Sequence, residues 1–136
     1  MADVPFRPDI SRWDAWHPTE AARRLAAVDM PWYVTAGWAL DLFRGRQTRP
    51  HDDLEIAVPE HGFPAIREAL AEFELYAVGD GYAHPLDDRS LAEHHQTWVR
   101  EPATGTWRLD VMREPWDGDT WVCRRDTRIR LPAAGV

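Results

Sequence analysis

Two acids set two residues apart carry the clearest chemical signal in this chain: Asp53 and Glu55, in the run HDDLEIAV. In an extended strand alternate residues share a face, so Asp53, Glu55 and Ala57 point one way while Leu54, Ile56 and Val58 point the other. The apolar set belongs to a core. The two carboxylates, on the order of 6 to 7 Å apart at their Cα atoms, can converge on one cation. Magnesium suits such a pair, because it is held typically by one or two carboxylates with waters and substrate phosphates completing its shell. Upstream, Ala36-Gly37 breaks an apolar run and opens a helix. The first N–H groups of that helix and its positive dipole end can receive a phosphate. Metal and phosphate would then share one cleft. The plain alternative is a solvated strand face, which alternation alone also produces.

The elements that must position these groups can be read outward from residues 32–58. Residues 32–35 read as a short strand, and after Gly37 the residues Trp38, Leu40, Leu42 and Phe43 recur at spacings a helix can bury. The helix should stop near Gly45, with Arg44, Arg46 and Arg49 clustered at its negative end and Pro50 beyond. These arginines offer bidentate donors to a triphosphate, or are simply helix-terminal charges in water. A second strand covers 53–58, Asp52 belongs to the loop before it, and Asp41 reads as a solvated or capping acid on the helix.

Before this stretch, residues 1–17 are rich in proline and charge, with Trp13 and Trp16 as anchors onto the body, and an amphipathic helix starting at Pro18 turns Ala21, Leu25 and Val28 to one side. After it, Phe63, Ile66, Ala69, Leu70 and Phe73 follow Pro64 at helical spacing, and residues 75–78 form a strand into the Gly79-Asp80-Gly81 turn. Residues 82–93 read as a surface excursion without an assigned element. From His95 the pattern is β: QTWVRE, TWRLDVMRE and TWVCRR, linked as two hairpins by turns at Thr104-Gly105 and Asp117-Gly118. In the middle strand Trp107, Leu109 and Val111 share one face, and Arg108, Asp110 and Met112 the other. Asp110 there needs either a partner, such as Arg108, or a role. The expected fold class is α+β: a mixed sheet in which the strands near Trp32, Asp53 and Trp107 are adjacent and helices pack mainly on one face.

A small dipeptide opening a helix, then a basic loop, then Asp-x-Asp/Glu on a strand resembles the DNA polymerase β-like nucleotidyltransferase superfamily. The wording AGWALDLFRGRQTRPHDDLEIAV is similar to its branch of aminoglycoside and lincosamide nucleotidyltransferases. The resemblance implies that Asp53 and Glu55 bind the metal carrying a nucleoside triphosphate, and that Asp110 supplies the third acid, as a metal ligand or as a base. It further implies Mg2+ as cofactor, ATP or another NTP as co-substrate, and transfer of a nucleoside monophosphate to a hydroxyl of a small, aminoglycoside-like or other polyol acceptor. Ala36, Gly37, Trp38, Arg46 and Arg49 are the expected nucleotide-binding residues, and Trp38, Trp107 or Trp121 could stack on a base or sugar. Ala36 stands where that family usually has glycine, and Glu55 where many members have aspartate. Both departures favour the alternative, a catalytically weak or inactive nucleotide-binding module of the same fold.

Composition sets the outer bounds. At 136 residues, the expectation is a single nucleotidyltransferase-like domain, without the C-terminal helical part of longer relatives. A formal charge of -7 and a pI near 5.3 argue against a general nucleic-acid binder. Cys123 alone allows no intrachain disulfide, suits a cytoplasmic setting, and is expected to be packed on a buried strand. His51, His94, His95 and Cys123 match no zinc-finger spacing. No run is long and apolar enough to span a membrane. A homodimer stays open as an assembly.

Overall fold

The computed structural model describes residues 3–132. Its centre is a six-stranded sheet in the order β1-β2-β6-β5-β3-β4, built from β1 (Tyr33–Thr35), β2 (Glu55–Pro59), β3 (Glu74–Gly79), β4 (Tyr82–Pro85), β5 (Gln96–Glu101) and β6 (Thr106–Glu114). Among its six strands only β2 and β6 pair in parallel; the other strand pairs are antiparallel. The helices are α1 (Pro18–Arg24), α2 (Ala36–Arg44), α3 (Phe63–Ala69) and α4 (Asp88–Glu93). This is the expected α+β architecture, with the three organising strands side by side.

Alternation decides which face the helices cover. Leu54, Ile56 and Val58 of the β2 region and Leu109 and Val111 of β6 join Ala21 and Leu25 from the α1 segment, Trp38 from α2, and Phe63, Ile66 and Leu70 from the α3 segment in one buried cluster. At about 25 cal/mol per Å2 of apolar area removed from water, this cluster is the main term holding helices to sheet. The opposite face carries a second, aromatic cluster of Tyr76, Val78, Ala83 and Trp107, with Phe6, Trp13 and Trp98 packed on it. The first residues of the described chain cover that end: Phe6 bridges to Ala83, and Trp13 to Trp107. Trp13 and Trp16 are thus anchors, as expected, one on each cluster.

Several expectations need correction. Trp107 does not share the face of Leu109 and Val111. Val99 pairs with Leu109 but Arg100 with Trp107, so Arg108 is an extra residue in β6, and this bulge turns Trp107 over to the aromatic side. In α2 only Trp38 and Asp41 are buried, whereas Leu40, Leu42 and Phe43 face outward, Phe43 with 91% of its surface exposed. A nine-residue helix lying on a sheet buries a narrow stripe, and i, i+3 spacing chose Trp38 and Asp41 for it. The second strand begins at Glu55, leaving Asp53 exposed just before it.

Residues 82–93 hold β4 and α4, the latter started by a capping box between Asp87 and Ser90. TWVCRR does not pair with β6, whose free edge is taken by β2. Instead β7 (Trp116–Asp117), β8 (Thr120–Val122) and β9 (Arg130–Pro132) make a separate three-stranded sheet. Cys123 lies beyond the end of β8 and is half-exposed. The AAGV tail falls outside the described residues. Among the described residues no helix is long and apolar enough to cross a membrane.

Candidate functional site

The site forms where three strands meet in register. Thr35 of β1 pairs with Glu55 of β2, and Glu55 pairs with Asp110 of β6, so these residues form one row across the sheet. Adjacent strands lie roughly 4.8 Å apart, and residues in one row present their side chains to the same face. The row continues through Trp98 to Tyr76, which places the acids on the aromatic face, away from the helices. The ladder also reaches past β2, since Asp110 N–H donates to the Leu54 carbonyl at 2.9 Å.

Among the described residues no basic side chain pairs with Glu55 or Asp110. Asp110 is 3% exposed, and burial first, then the Glu55 carboxylate beside it and Asp53 beyond, push its carboxyl well above the usual range. The Trp98 indole N–H beside it offsets this in part. Neither that N–H nor Asp110 Oδ1 is in hydrogen-bonding geometry with any described residue. Glu55 is likewise raised, by burial and then by Asp53. Arg108, the candidate partner for Asp110, turns instead to Glu101 at 2.6 Å and Asp14 at 2.9 Å. A buried carboxylate oxygen without a donor, beside a second carboxylate, fits an oxygen-ligated cation such as magnesium. Asp110, Glu55 and Asp53 would hold it, although among the described residues no three acidic, histidine or cysteine side chains are already gathered around one point.

The turn after β1 supplies the other half. Thr35 is the N-cap of α2 but makes no side-chain capping bond, leaving the first N–H groups of the helix to other partners. Ala36 has φ +58°, the left-handed region, which costs a residue with a Cβ roughly 1 kcal/mol. The turn therefore keeps a glycine-like backbone despite the alanine. Gly37 is needed for close approach: a Cβ there would stand 2.5 Å from an Arg49 guanidinium nitrogen and 3.0 Å from His51 Nδ1. Arg49 thus lies over the opening of α2, whereas Arg46 sits past Gly45 at the far end of that helix. Trp38 is buried, its ring between His17 and His51 at 4.9 and 4.4 Å, so it offers the site its backbone N–H and its support of His51. Trp107 belongs to the aromatic cluster.

Asp41 is not solvated. Its side chain is 3% exposed, and it accepts from Thr48 N–H at 3.0 Å, from the Thr48 hydroxyl, and from His51 Nε2 at 2.6 Å. The Thr48 hydroxyl and then His51 hold its carboxyl well below the usual range. Its place three residues after Trp38, on the only buried stripe of α2, was the available signal.

The model of the aminoglycoside-2''-adenylyltransferase family matches residues 19–86, half of the chain, spanning the turn, the basic loop and the acids Asp53 and Glu55. The chain belongs to this family. Curated relatives include a 2''-aminoglycoside nucleotidyltransferase of Klebsiella pneumoniae and one of Escherichia coli, each 36% identical over 72 residues, which is 51% of this chain. The match covers 38% of each relative's length. No solved structure matches. Asp110 lies outside the matched segment, so its place beside Glu55 rests on strand register alone.

Proposed function

We propose that this chain is the nucleotide- and metal-binding domain of a magnesium-dependent nucleotidyltransferase acting on a small aminoglycoside-like acceptor. The observation that carries the reading is the row Thr35, Glu55, Asp110, which sets two uncompensated carboxylates directly beside the strand that opens into the Ala36-Gly37 turn. Magnesium held by Asp53, Glu55 and Asp110 would neutralise phosphate charge. The N–H groups at Ala36, Gly37 and Trp38, with Arg49, would grip the triphosphate of ATP or another NTP, and Arg46, at the far end of α2, lies away from them. An acceptor hydroxyl oxygen then bonds to the α-phosphorus, the bond to the bridging oxygen breaks, and pyrophosphate leaves with the electron pair. Asp110, in one row with Glu55, would serve either as the third metal ligand or as the base that takes the hydroxyl proton. An acidic protein of charge -7 attracts a polycationic acceptor. A cytoplasmic setting suits the lone cysteine and the use of NTP.

The test is pyrophosphate release with four NTPs, Mg2+ and a panel of aminoglycosides. Release that requires an aminoglycoside and disappears in Asp53→Asn and Asp110→Asn is the expected result. NTP binding with no release for any acceptor would reduce the chain to a nucleotide-binding module.

A further inference from the structure

Asp41 lies in the stripe of α2 that faces the core, where an acid is costly unless donors surround it. All of its side-chain partners come from one segment, the loop after α2, through Thr48 and His51. Its backbone carbonyl also accepts from Arg46 N–H at 3.1 Å. The loop leaves at Gly45, the C-terminal end of α2, and is folded back along the helix until His51 reaches Gly37, near its N-terminal end. Two groups arrive there with it. The His51 ring, 3% exposed, turns Nδ1 toward Gly37 with no protein partner among the described residues, and a guanidinium nitrogen of Arg49 comes against the same glycine. Among the described residues the Arg49 guanidinium pairs with no carboxylate, and its one hydrogen bond goes to the Pro50 carbonyl at 3.3 Å. A cation resting on the positive end of a helix is of the wrong sign unless an anion joins both.

We propose that Asp41 is a positioning residue for the triphosphate: by clamping Thr48 and His51 it holds Arg49 and the His51 ring over Gly37, and so sets the affinity for the phosphates of the NTP. This rests on the nucleotide reading above. A buried pair can instead serve stability alone, and the two roles separate in a double-mutant cycle.

The probes are Mg-ATP and magnesium tripolyphosphate, which presents phosphates without base or sugar, titrated by calorimetry into the wild type, Asp41→Asn, Arg49→Gln and the double variant. Arg49→Gln should weaken both probes about tenfold, in line with loss of a charge-assisted contact. Asp41→Asn should weaken them roughly five- to tenfold, and the double variant clearly less than the product of the two single losses, because part of what Asp41 positions is already removed. Thr48→Val, which deletes one clamp hydroxyl at constant shape, should show a smaller loss of the same kind even if Asp41→Asn folds poorly. Unchanged affinity in Asp41→Asn and Thr48→Val, or losses that multiply in the double variant, would overturn the positioning role while leaving the nucleotide reading intact. A wild type that binds neither probe overturns both.

Discussion

One face of the sheet treats charge in two ways. At its β3-β5 end the guanidinium of Arg100 lies 5.0 to 5.2 Å from the rings of Phe6, Tyr76 and Trp107 and pairs with Glu74 at 3.3 Å. On the next strands, β6 and β2, Asp110 and Glu55 stand side by side with raised proton affinities and, among the described residues, no paired cation. The first arrangement satisfies its charge and closes over it. The second stores repulsion, which a proton or a bound cation relieves. Residues that serve the fold and those proposed to serve a ligand thus differ here by compensation more than by burial, since Trp107 and Asp110 are both nearly inaccessible.

The sharpest way to break this contrast is at its structural pole. Trp107 is 1% exposed and touches Phe6, Tyr76 and Trp98. Trp107→Ala should cost about 3 to 5 kcal/mol in urea unfolding, and the fraction that stays folded should bind Mg-ATP as the wild type does. A large affinity loss in that folded fraction would mean that the aromatic end belongs to the site.

At the other pole the signs reverse. With Mg2+ at a hundred times its Kd, the wild type should gain about 2.7 kcal/mol. Asp53, exposed and ahead of β2, can be changed without touching the core, so Asp53→Asn should melt like the wild type without metal and lose most of that gain. A retained magnesium shift would remove Asp53 from the metal site. Asp110→Asn should be more stable than the metal-free wild type at pH 7, by on the order of 1 kcal/mol, because an uncompensated buried carboxylate is gone. Its folded proton affinity is raised, so the native aspartate favours folding fully below its ordinary pKa of about 4 and loses that benefit as pH rises through the higher folded value. The advantage of the variant should therefore shrink from pH 7 toward pH 4, and magnesium should stabilise the wild type more at pH 7 than at pH 5. A pH-independent difference would mean that Asp110 is compensated.

Much of this was legible in the sequence where one local rule acted alone. Alternation in LEIAV put its apolar residues in the core, and the strand, Ala36-Gly37 turn and helix formed as the pattern required. Legibility failed where a tertiary contact overrode the local rule. The extra Arg108 in β6 reversed the face of Trp107, and no pattern within β6 reveals that its partner strand has one residue fewer. Hydrophobicity suggested that Leu40, Leu42 and Phe43 would be buried, while an acid, Asp41, took the core position because a loop folded back to supply its donors. The family wording pointed to Asp53 and Glu55, but that Asp110 would lie beside Glu55 depends on parallel pairing across more than fifty residues of chain, which spacing cannot disclose.

The smallest expected effect tests whether strain, as well as charge, is held at the ligand end. Ala36 adopts φ +58° between a strand and a helix that both fix it, so its methyl is tolerated at a cost of roughly 1 kcal/mol. Glycine removes that cost but gives the unfolded chain more freedom, worth about 0.4 to 1 kcal/mol in the opposite direction. Ala36→Gly should therefore raise stability by at most about 0.5 kcal/mol, or roughly 2 °C in Tm for a domain of this size. The larger change should appear in binding, since a bare Cα lets phosphate oxygens approach the first N–H groups of α2 more closely. Mg-ATP should bind the variant at least as tightly as the wild type. If Ala36→Gly instead melts well below the wild type, the alanine methyl makes stabilising contacts that outweigh its backbone strain. The turn would then resemble the aromatic end of the face, satisfied in its own right rather than shaped for a ligand.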